Sequence, residues 1–333
     1  MSVSTLGALS MAVVATAPML VAAPAAAAPL SIGGATITRT VAQADGVRDV
    51  YVRSTAMKAE MLVKVLPSRV NAATSPTLYL LNGAAGGYNG SSWFDQTDVI
   101  KFFADKNVNL VVPVGGVASY FTDWRRDDPK LGHLKWSTYL TKELPPLMDA
   151  AYKGSGRNAI AGISMAGTSV FQLSLDAPDL YQGIGAYSGC AMTSDPIGQA
   201  FVKLTVARGG GNTLNMWGPS TDPEWVRKDP YVNAEKLRGK AIYVAAGTGV
   251  PGQYDNINAP GIKGNVTALA ERIAAGAVIE SATNYCTQRM QTRLRSLNIP
   301  ATFRLNYPGT HSWPYWQDDL HNSWPMFSTA LNR

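Results

Sequence analysis

The segment Gly162-Ile163-Ser164-Met165-Ala166-Gly167 most constrains what this chain can fold into, because it sets a serine between an apolar run and a helical one. Upstream, Asn158 to Ile163 reads as a strand, and downstream Thr168 to Leu175 reads as a helix. A serine at that junction sits on a sharp strand-to-helix elbow with its hydroxyl turned away from the core. The common elbow pattern is G-x-S-x-G, whereas here Ala166 stands at the last glycine position and Gly167 follows it. Short glycine and serine strings are frequent in loops, so the segment has to be read together with the rest of the chain.

Similar short apolar runs recur along the sequence. Met61 to Leu66, Thr77 to Leu81, Val108 to Val114, Ala159 to Ile163, Gly183 to Ser188, Ala241 to Ala246 and Thr302 to Leu305 read as strands, with helical runs between most of them. One of these helical runs, Ser137 to Tyr152, contains Pro145-Pro146, which must kink or split it. Short apolar strands alternating with helices predict a mostly parallel, doubly covered sheet in a single α/β domain.

A serine hydroxyl is a weak nucleophile at neutral pH and needs a base oriented by a carboxylate. The chain has three histidines. His311 lies in Tyr307-Pro308-Gly309-Thr310-His311-Ser312, a turn after the strand-like Ala301 to Asn306, and loops at strand ends gather over the same sheet edge as the elbow. His133 lies in a Lys/Asp-rich loop and His321 in a terminal helix, where ordinary solvated side chains are expected. The chain order nucleophile, acid, histidine restricts the acid to Asp255, Glu271 or Glu280. Asp255 reads as a turn former, and Glu271 as an exposed helix residue beside Arg272. Glu280 follows Ala277-Val278-Ile279 and is the preferred choice, as a half-buried group able to stabilise an imidazolium.

Residues 1 to 38 carry no charged side chain, and Met11 to Ala28 is an alanine-rich apolar run interrupted by Pro18 and Pro24. This pattern predicts a signal peptide over 1–28, cleaved near Ala27 or Ala28, and an exported domain over 29–333. In an exported protein the two cysteines, Cys190 and Cys286, are expected to form a disulfide. No Cys/His ligand cluster accompanies them, so neither a metal nor another cofactor is expected. The net charge of +6 is spread without a dense Lys/Arg block. That distribution speaks against a nucleic-acid partner and suits mild attraction to an anionic wall or membrane surface.

Several longer segments carry a family resemblance. They are Leu80-Leu81-Asn82-Gly83, Tyr88-Asn89-Gly90, Val112-Pro113-Val114-Gly115-Gly116, Asp123-Trp124, the elbow itself, Asn215-Met216-Trp217-Gly218-Pro219-Ser220, Asp222-Pro223, and Gly309-Thr310-His311-Ser312-Trp313-Pro314-Tyr315-Trp316. In these segments the chain resembles the mycolyltransferases of the antigen 85 complex and their corynebacterial relatives, secreted α/β-hydrolases that move mycolic acids onto envelope sugars. The family elbow also lacks the penultimate glycine, and its catalytic glutamate falls at Val278-Ile279-Glu280. The resemblance therefore implies an α/β-hydrolase fold with Ser164, Glu280 and His311 as catalytic residues, and it places the Ala84 and Met165 N–H groups at an oxyanion hole.

The resemblance also implies substrate contacts at Asn82, Trp217 and Trp313. Mycobacterial relatives have a trehalose-contacting aspartate before the first-loop glycine and an arginine soon after. This chain has Asn82 and then Ala84-Ala85-Gly86-Gly87, which leaves the acceptor open. The implied reaction moves a mycolyl group from trehalose monomycolate to a second trehalose monomycolate, to cell-wall arabinan or to a protein hydroxyl. A secreted carboxylesterase using the same triad, and a non-catalytic adhesion protein on the same fold, are the alternative readings.

Overall fold

Strands buried on both faces read as near-continuous apolar runs, and two central strands of this chain fit that description: every residue of Ser75–Leu81 and of Asn109–Val114 is buried, and the polar ones, Ser75, Thr77 and Asn109, lie at or near the strand starts. The structure, a computed structural model, describes Met1, residues 29–70 and residues 73–332. Apart from Met1, the expected signal peptide lies outside the described residues. Among them, ten strands form one sheet: β1 (Ser31–Ile32), β2 (Ala35–Ala42), β3 (Arg48–Ser54), β4 (Ala59–Leu66), β5 (Ser75–Leu81), β6 (Asn109–Val114), β7 (Gly154–Ile163), β8 (Tyr181–Tyr187), β9 (Ala241–Ala245) and β10 (Thr302–Arg304). They lie side by side in the order β1-β2-β3-β4-β6-β5-β7-β8-β9-β10. From β6 to β10 all pairings are parallel, while β1 to β4 pair antiparallel and β4 joins β6 antiparallel.

Successive side chains of a strand point to opposite faces, and β5 divides accordingly. Leu78 and Leu80 enter one apolar cluster with Leu110, Val112, Ala161, Trp316 and Phe327, while Tyr79 and Leu81 enter the other with Val111, Ile160, Ile184 and Phe171. Helices cover both clusters. The five longest among the described residues are α1 (Leu144–Ala151), α2 (Met165–Asp176), α3 (Pro196–Arg208), α4 (Val266–Ser296) and α5 (Trp313–Leu331). The parallel, doubly covered α/β sheet predicted from sequence is thus present, with each predicted strand inside or overlapping an observed one.

Two differences have clear causes. The strands legible in the sequence do not include β1, β2 and β3. In β3 only Val50, Val52 and Ser54 are buried, alternating with Tyr51 and Arg53, and β2 beyond Ala35 is largely open to solvent, so no continuous apolar run marks them. This edge is fastened from behind by the buried Glu143, which accepts from Ser54 Oγ and from the Ala56 N–H at 2.8 Å. The diproline, for its part, does not break its helix. The run continues from Trp136 through a π-helical stretch, Tyr139–Glu143, into α1, with the Leu144 N–H donating to the Tyr139 carbonyl five residues back. Pro145 and Pro146 have no N–H to return to the preceding turn, and the wider turn accommodates that loss.

Cys190, just beyond β8, is bonded to Cys286 on α4, joining segments 96 residues apart. The bond ties α4 to the sheet at the strand next to the elbow. For a closed loop of that length the chain-entropy picture gives about 4–5 kcal/mol. Replacing both cysteines by alanine is therefore expected to lower the unfolding free energy by several kcal/mol in urea titrations, and a loss of under about 1 kcal/mol would contradict this role.

Candidate active site

Ser164 is held at φ 55° and ψ −123°, a left-handed conformation that a non-glycine side chain adopts only under constraint. The constraint is local and identifiable. Its N–H donates to Tyr187 O at 2.8 Å, anchoring it to β8, and its carbonyl accepts the Gly167 N–H at 2.9 Å, closing the turn into α2. A Cβ on Gly162 would stand 2.8 Å from Ala166 Cβ, and one on Gly167 would stand 2.9 Å from Gly189 Cα. The glycine needed for close packing against the neighbouring strand end is therefore Gly167, and a methyl group at position 166 fits as long as position 162 has none. That geometry accounts for the departure from the common elbow spacing.

The parallel strands all present their carboxyl ends on this side, and the loops that leave them converge on Ser164. His311 Nε2 lies 2.8 Å from Ser164 Oγ, and His311 Nδ1 lies 2.8 Å from Glu280 Oε2. A carboxylate can only accept, so Nδ1 carries the proton and Nε2 is left to accept from the serine hydroxyl. Glu280 is 1% exposed, and its other oxygen accepts from Ser188 Oγ at 2.8 Å and from the Gly247 N–H at 2.6 Å. Ser188 in turn accepts from Trp316 Nε1 at 2.9 Å, and the Trp316 ring meets the His311 ring edge to face at 4.9 Å.

Glu280 is deeper than the half-buried position expected, and for a different reason. Its apolar neighbour Val278 is 72% exposed. From Gly276 to Thr287 the buried positions of α4 are mostly polar, namely Gly276, Glu280, Thr283, Asn284 and Thr287 with Cys286 among them, whereas Met290 and Leu294 further along join the core. Of the other two acid candidates, Glu271 is exposed, and Arg272 donates to the Tyr254 and Pro260 carbonyls rather than to it. Asp255 does sit in a turn, its N–H donating to the Gly252 carbonyl at 3.0 Å, and its side chain is buried. His133 is also partly buried, held between Asp127 and the Ala56 carbonyl, while His321 pairs with Asp98 and stacks on Phe102.

The turn after β5 lies against the elbow, since a Cβ on Gly83 would stand 3.5 Å from Ser164 Cβ. Ala84 accepts the Ala118 N–H on its carbonyl at 3.0 Å, and its own N–H has no acceptor among the described residues. Met165 is the first residue of α2, so its N–H has no partner within the helix and adds to the positive end of the helix dipole. Two residues expected to meet substrate do not reach the cleft. Asn82 is fully buried, donating to Pro113 O at 3.2 Å and accepting the Trp93 N–H at 3.3 Å, so it fastens the turn to its neighbours. Trp217 is likewise fully buried, packed edge to face on Trp225 at 5.1 Å and tilted on Tyr120. Trp313 remains half-buried, in edge contact with Trp93 and Trp316. Ser188, Gly247 and Trp316, which complete the surroundings of Glu280, carry no local sequence signal for that position.

Behind the His311 turn, Asp319 of α5 is fully buried, accepting from Arg304 Nη1 at 2.6 Å and from Tyr307 OH at 3.0 Å. Burial pushes its pKa up to about 7 against the opposing pull of Arg304 and Tyr307, with the nearby Glu280 charge adding to the rise. No metal-binding cluster of His, Cys, Asp and Glu occurs among the described residues, and no helix there is long and apolar enough to cross a membrane.

A family model described as putative esterase matches residues 54–327. The chain is 32% identical to the diacylglycerol acyltransferase/mycolyltransferase Ag85A of Mycobacterium leprae over 78% of its own length and 76% of that protein's. It is 33% identical to the Ag85B of the same organism over 77% and 76% of the two chains. Among solved structures, MPT51 of Mycobacterium tuberculosis superimposes with a TM-score of 0.70 at 22% identity, covering 86% of this chain and 99% of that one. An S-formylglutathione hydrolase from Agrobacterium tumefaciens superimposes with a TM-score of 0.61 at 16% identity, covering 89% and 99%. These last two likenesses establish the α/β-hydrolase fold.

With a raised pKa, Asp319 keeps its proton in the folded chain between about pH 4 and pH 7, where an unfolded aspartate has released it. Its contribution to stability is therefore present at low pH and declines as pH rises through that window. Urea titrations of the wild type and Asp319→Asn at a series of pH values are expected to show the wild-type stability, relative to the variant, falling from about pH 4 to about 7 and level above. A difference independent of pH would contradict the assignment.

Proposed function

The chain belongs to the family of esterases that includes the antigen 85 mycolyltransferases, and on that footing we propose that it is an acyltransferase carrying a mycolyl group from trehalose monomycolate to an envelope hydroxyl by way of an acyl-enzyme on Ser164. The observation that carries this reading is the unbroken hydrogen-bonded chain from Ser164 through His311 to the buried Glu280. The serine hydroxyl is a weak nucleophile at neutral pH, and the chain supplies a base within hydrogen-bond reach and a carboxylate that orients it.

In the proposed first half-reaction His311 Nε2 takes the Ser164 proton as Oγ attacks the ester carbonyl, and Glu280 stabilises the imidazolium. The carbonyl electrons move to an oxyanion facing the Ala84 and Met165 N–H groups, where each donor contributes about 2.7–4 kcal/mol of barrier lowering. On collapse the C–O bond to trehalose breaks, and His311 returns the proton to the departing sugar oxygen. In the second half-reaction His311 deprotonates an acceptor hydroxyl, which attacks the acyl-serine, and the proton goes back to Ser164. The acceptor is a second trehalose monomycolate, arabinan or a protein hydroxyl. Water competes at this step, so transfer requires an acceptor held in attacking position. Trp313, half-buried at the cleft, offers an indole face suited to a sugar ring or an alkyl stem. Export of residues 29–333 after removal of 1–28 places the enzyme where such substrates occur.

The decisive assay incubates the purified enzyme with trehalose monomycolate and follows all products. Dimycolate and free trehalose are expected, and free mycolate with no acylated acceptor would replace transfer by hydrolysis. Ser164→Ala is expected to lower turnover by about 10⁴-fold or more, and Glu280→Gln, which disturbs the imidazole tautomer, by a comparable factor of about 10⁴. Turnover that survives Ser164→Ala would refute the covalent mechanism.

A further inference from the structure

We propose that Asp255 is a positioning residue for His311, holding the turn that carries the imidazole in register with Glu280. The inference rests on the catalytic reading above and assigns a role to a carboxylate that the reaction itself does not use. Asp255 is 8% exposed and follows β9, in the loop next to the His311 turn. One of its oxygens accepts from Thr310 Oγ1 at 2.6 Å, and the other accepts from Tyr315 OH at 2.7 Å and from the Gly252 N–H at 2.8 Å. Its two side-chain partners bracket His311, one at the preceding residue and one in the first turn of α5. A single carboxylate thus grips the turn on both sides of the imidazole.

The grip is keyed to the helix that carries the acid. Arg272, Gly276 and Glu280 occupy one stripe of α4 at successive turns. The Arg272 guanidinium donates to Tyr254 O at 2.9 Å and Pro260 O at 2.8 Å, seating the Asp255 loop on the helix. Gly276 O accepts the His311 N–H at 3.2 Å, and a Cβ at Gly276 would stand 3.2 Å from that nitrogen, so the two backbones meet without a side chain between them. Glu280 then takes the ring. Three consecutive turns of α4 therefore seat the Asp255 loop, the His311 backbone and the His311 imidazole in that order. Asp255 closes the circuit by tying its loop to Thr310 and Tyr315.

A base displaced by a fraction of an ångström loses its hydrogen bonds to both the serine and the glutamate, whereas substrate binding elsewhere in the cleft is untouched. The expected signature is a fall in kcat at nearly constant KM. The full-length mature enzyme is assayed on a short p-nitrophenyl ester, with turnover normalised to folded protein by near-ultraviolet circular dichroism. Labelling of Ser164 by a fluorophosphonate probe is timed in parallel. Asp255→Asn and Thr310→Val are each expected to lower kcat about 10-fold or more and to slow labelling by a similar factor, with KM changed by less than about twofold. Thr310→Ser, which restores the hydroxyl, is expected to recover most of the loss. If Asp255→Asn and Thr310→Val lower thermal stability but keep wild-type kcat and labelling rate per folded molecule, the carboxylate serves the fold alone and the proposal fails. A wild-type enzyme with no Ser164-dependent turnover would strike the catalytic reading itself and this inference with it, so the two failures are distinguishable.

Discussion

A carboxylate removed from water has to be surrounded by donors, and much of the architecture on the active side of this sheet follows from meeting that need at Glu280. Its oxygens take hydrogen bonds from the Ser188 hydroxyl, the Gly247 N–H and the His311 ring, which come from the ends of β8 and β9 and from the turn beyond β10. Three loops distant in sequence are thereby drawn to one point. The polar face of α4, the Cys190–Cys286 bond and the Trp316 indole behind Ser188 all support that convergence. Without these donors the site would hold an unsatisfied buried charge, a defect that costs on the order of several kcal/mol.

The serine side of the site is built by sterics rather than by charge. Positive φ at Ser164 is maintained because β7 and α2 are joined with no spare residue, and because Gly162, Gly167 and Gly189 let three backbones approach more closely than any Cβ allows. The strain is local and is met by the hydrogen bond to Tyr187. The cleft thus combines a rigid nucleophile position, fixed by the sheet, with a base and acid fixed by α4 and its loops.

Legibility in the sequence followed the same division. The elbow could be read from six residues because its requirements are local: an apolar strand, small residues at defined offsets and a helix start. The buried parallel strands could be read because being covered on both faces forces continuous apolar runs. Strands β2 and β3 could not, since their burial alternates or is lost at the edge, and the Glu143 carboxylate that helps fasten the end of β3 lies far along the chain. The apolar neighbours of Glu280 do not account for its burial, since Val278 is exposed and Ala277 and Ile279 are only half-buried; what buries it is a helical stripe visible only once α4 is known to be continuous. Asn82 and Trp217 sit in recognisable segments, yet Pro113 and Trp93 absorb the first, and Tyr120 and Trp225 the second. Contacts of that kind are set by the fold and leave no trace in neighbouring residues.

The two outermost strands of the described sheet, Ser31–Ile32 and Thr302–Arg304, are only two and three residues long, and β2 next to the first carries a bulge between Ile37 and Arg39. Free hydrogen-bonding edges invite strand addition by other chains, and short or irregular borders with charged side chains discourage it. A sheet of ten strands is therefore finished at both margins in a way that resists amyloid-like self-templating, even where many copies are crowded together at high local concentration.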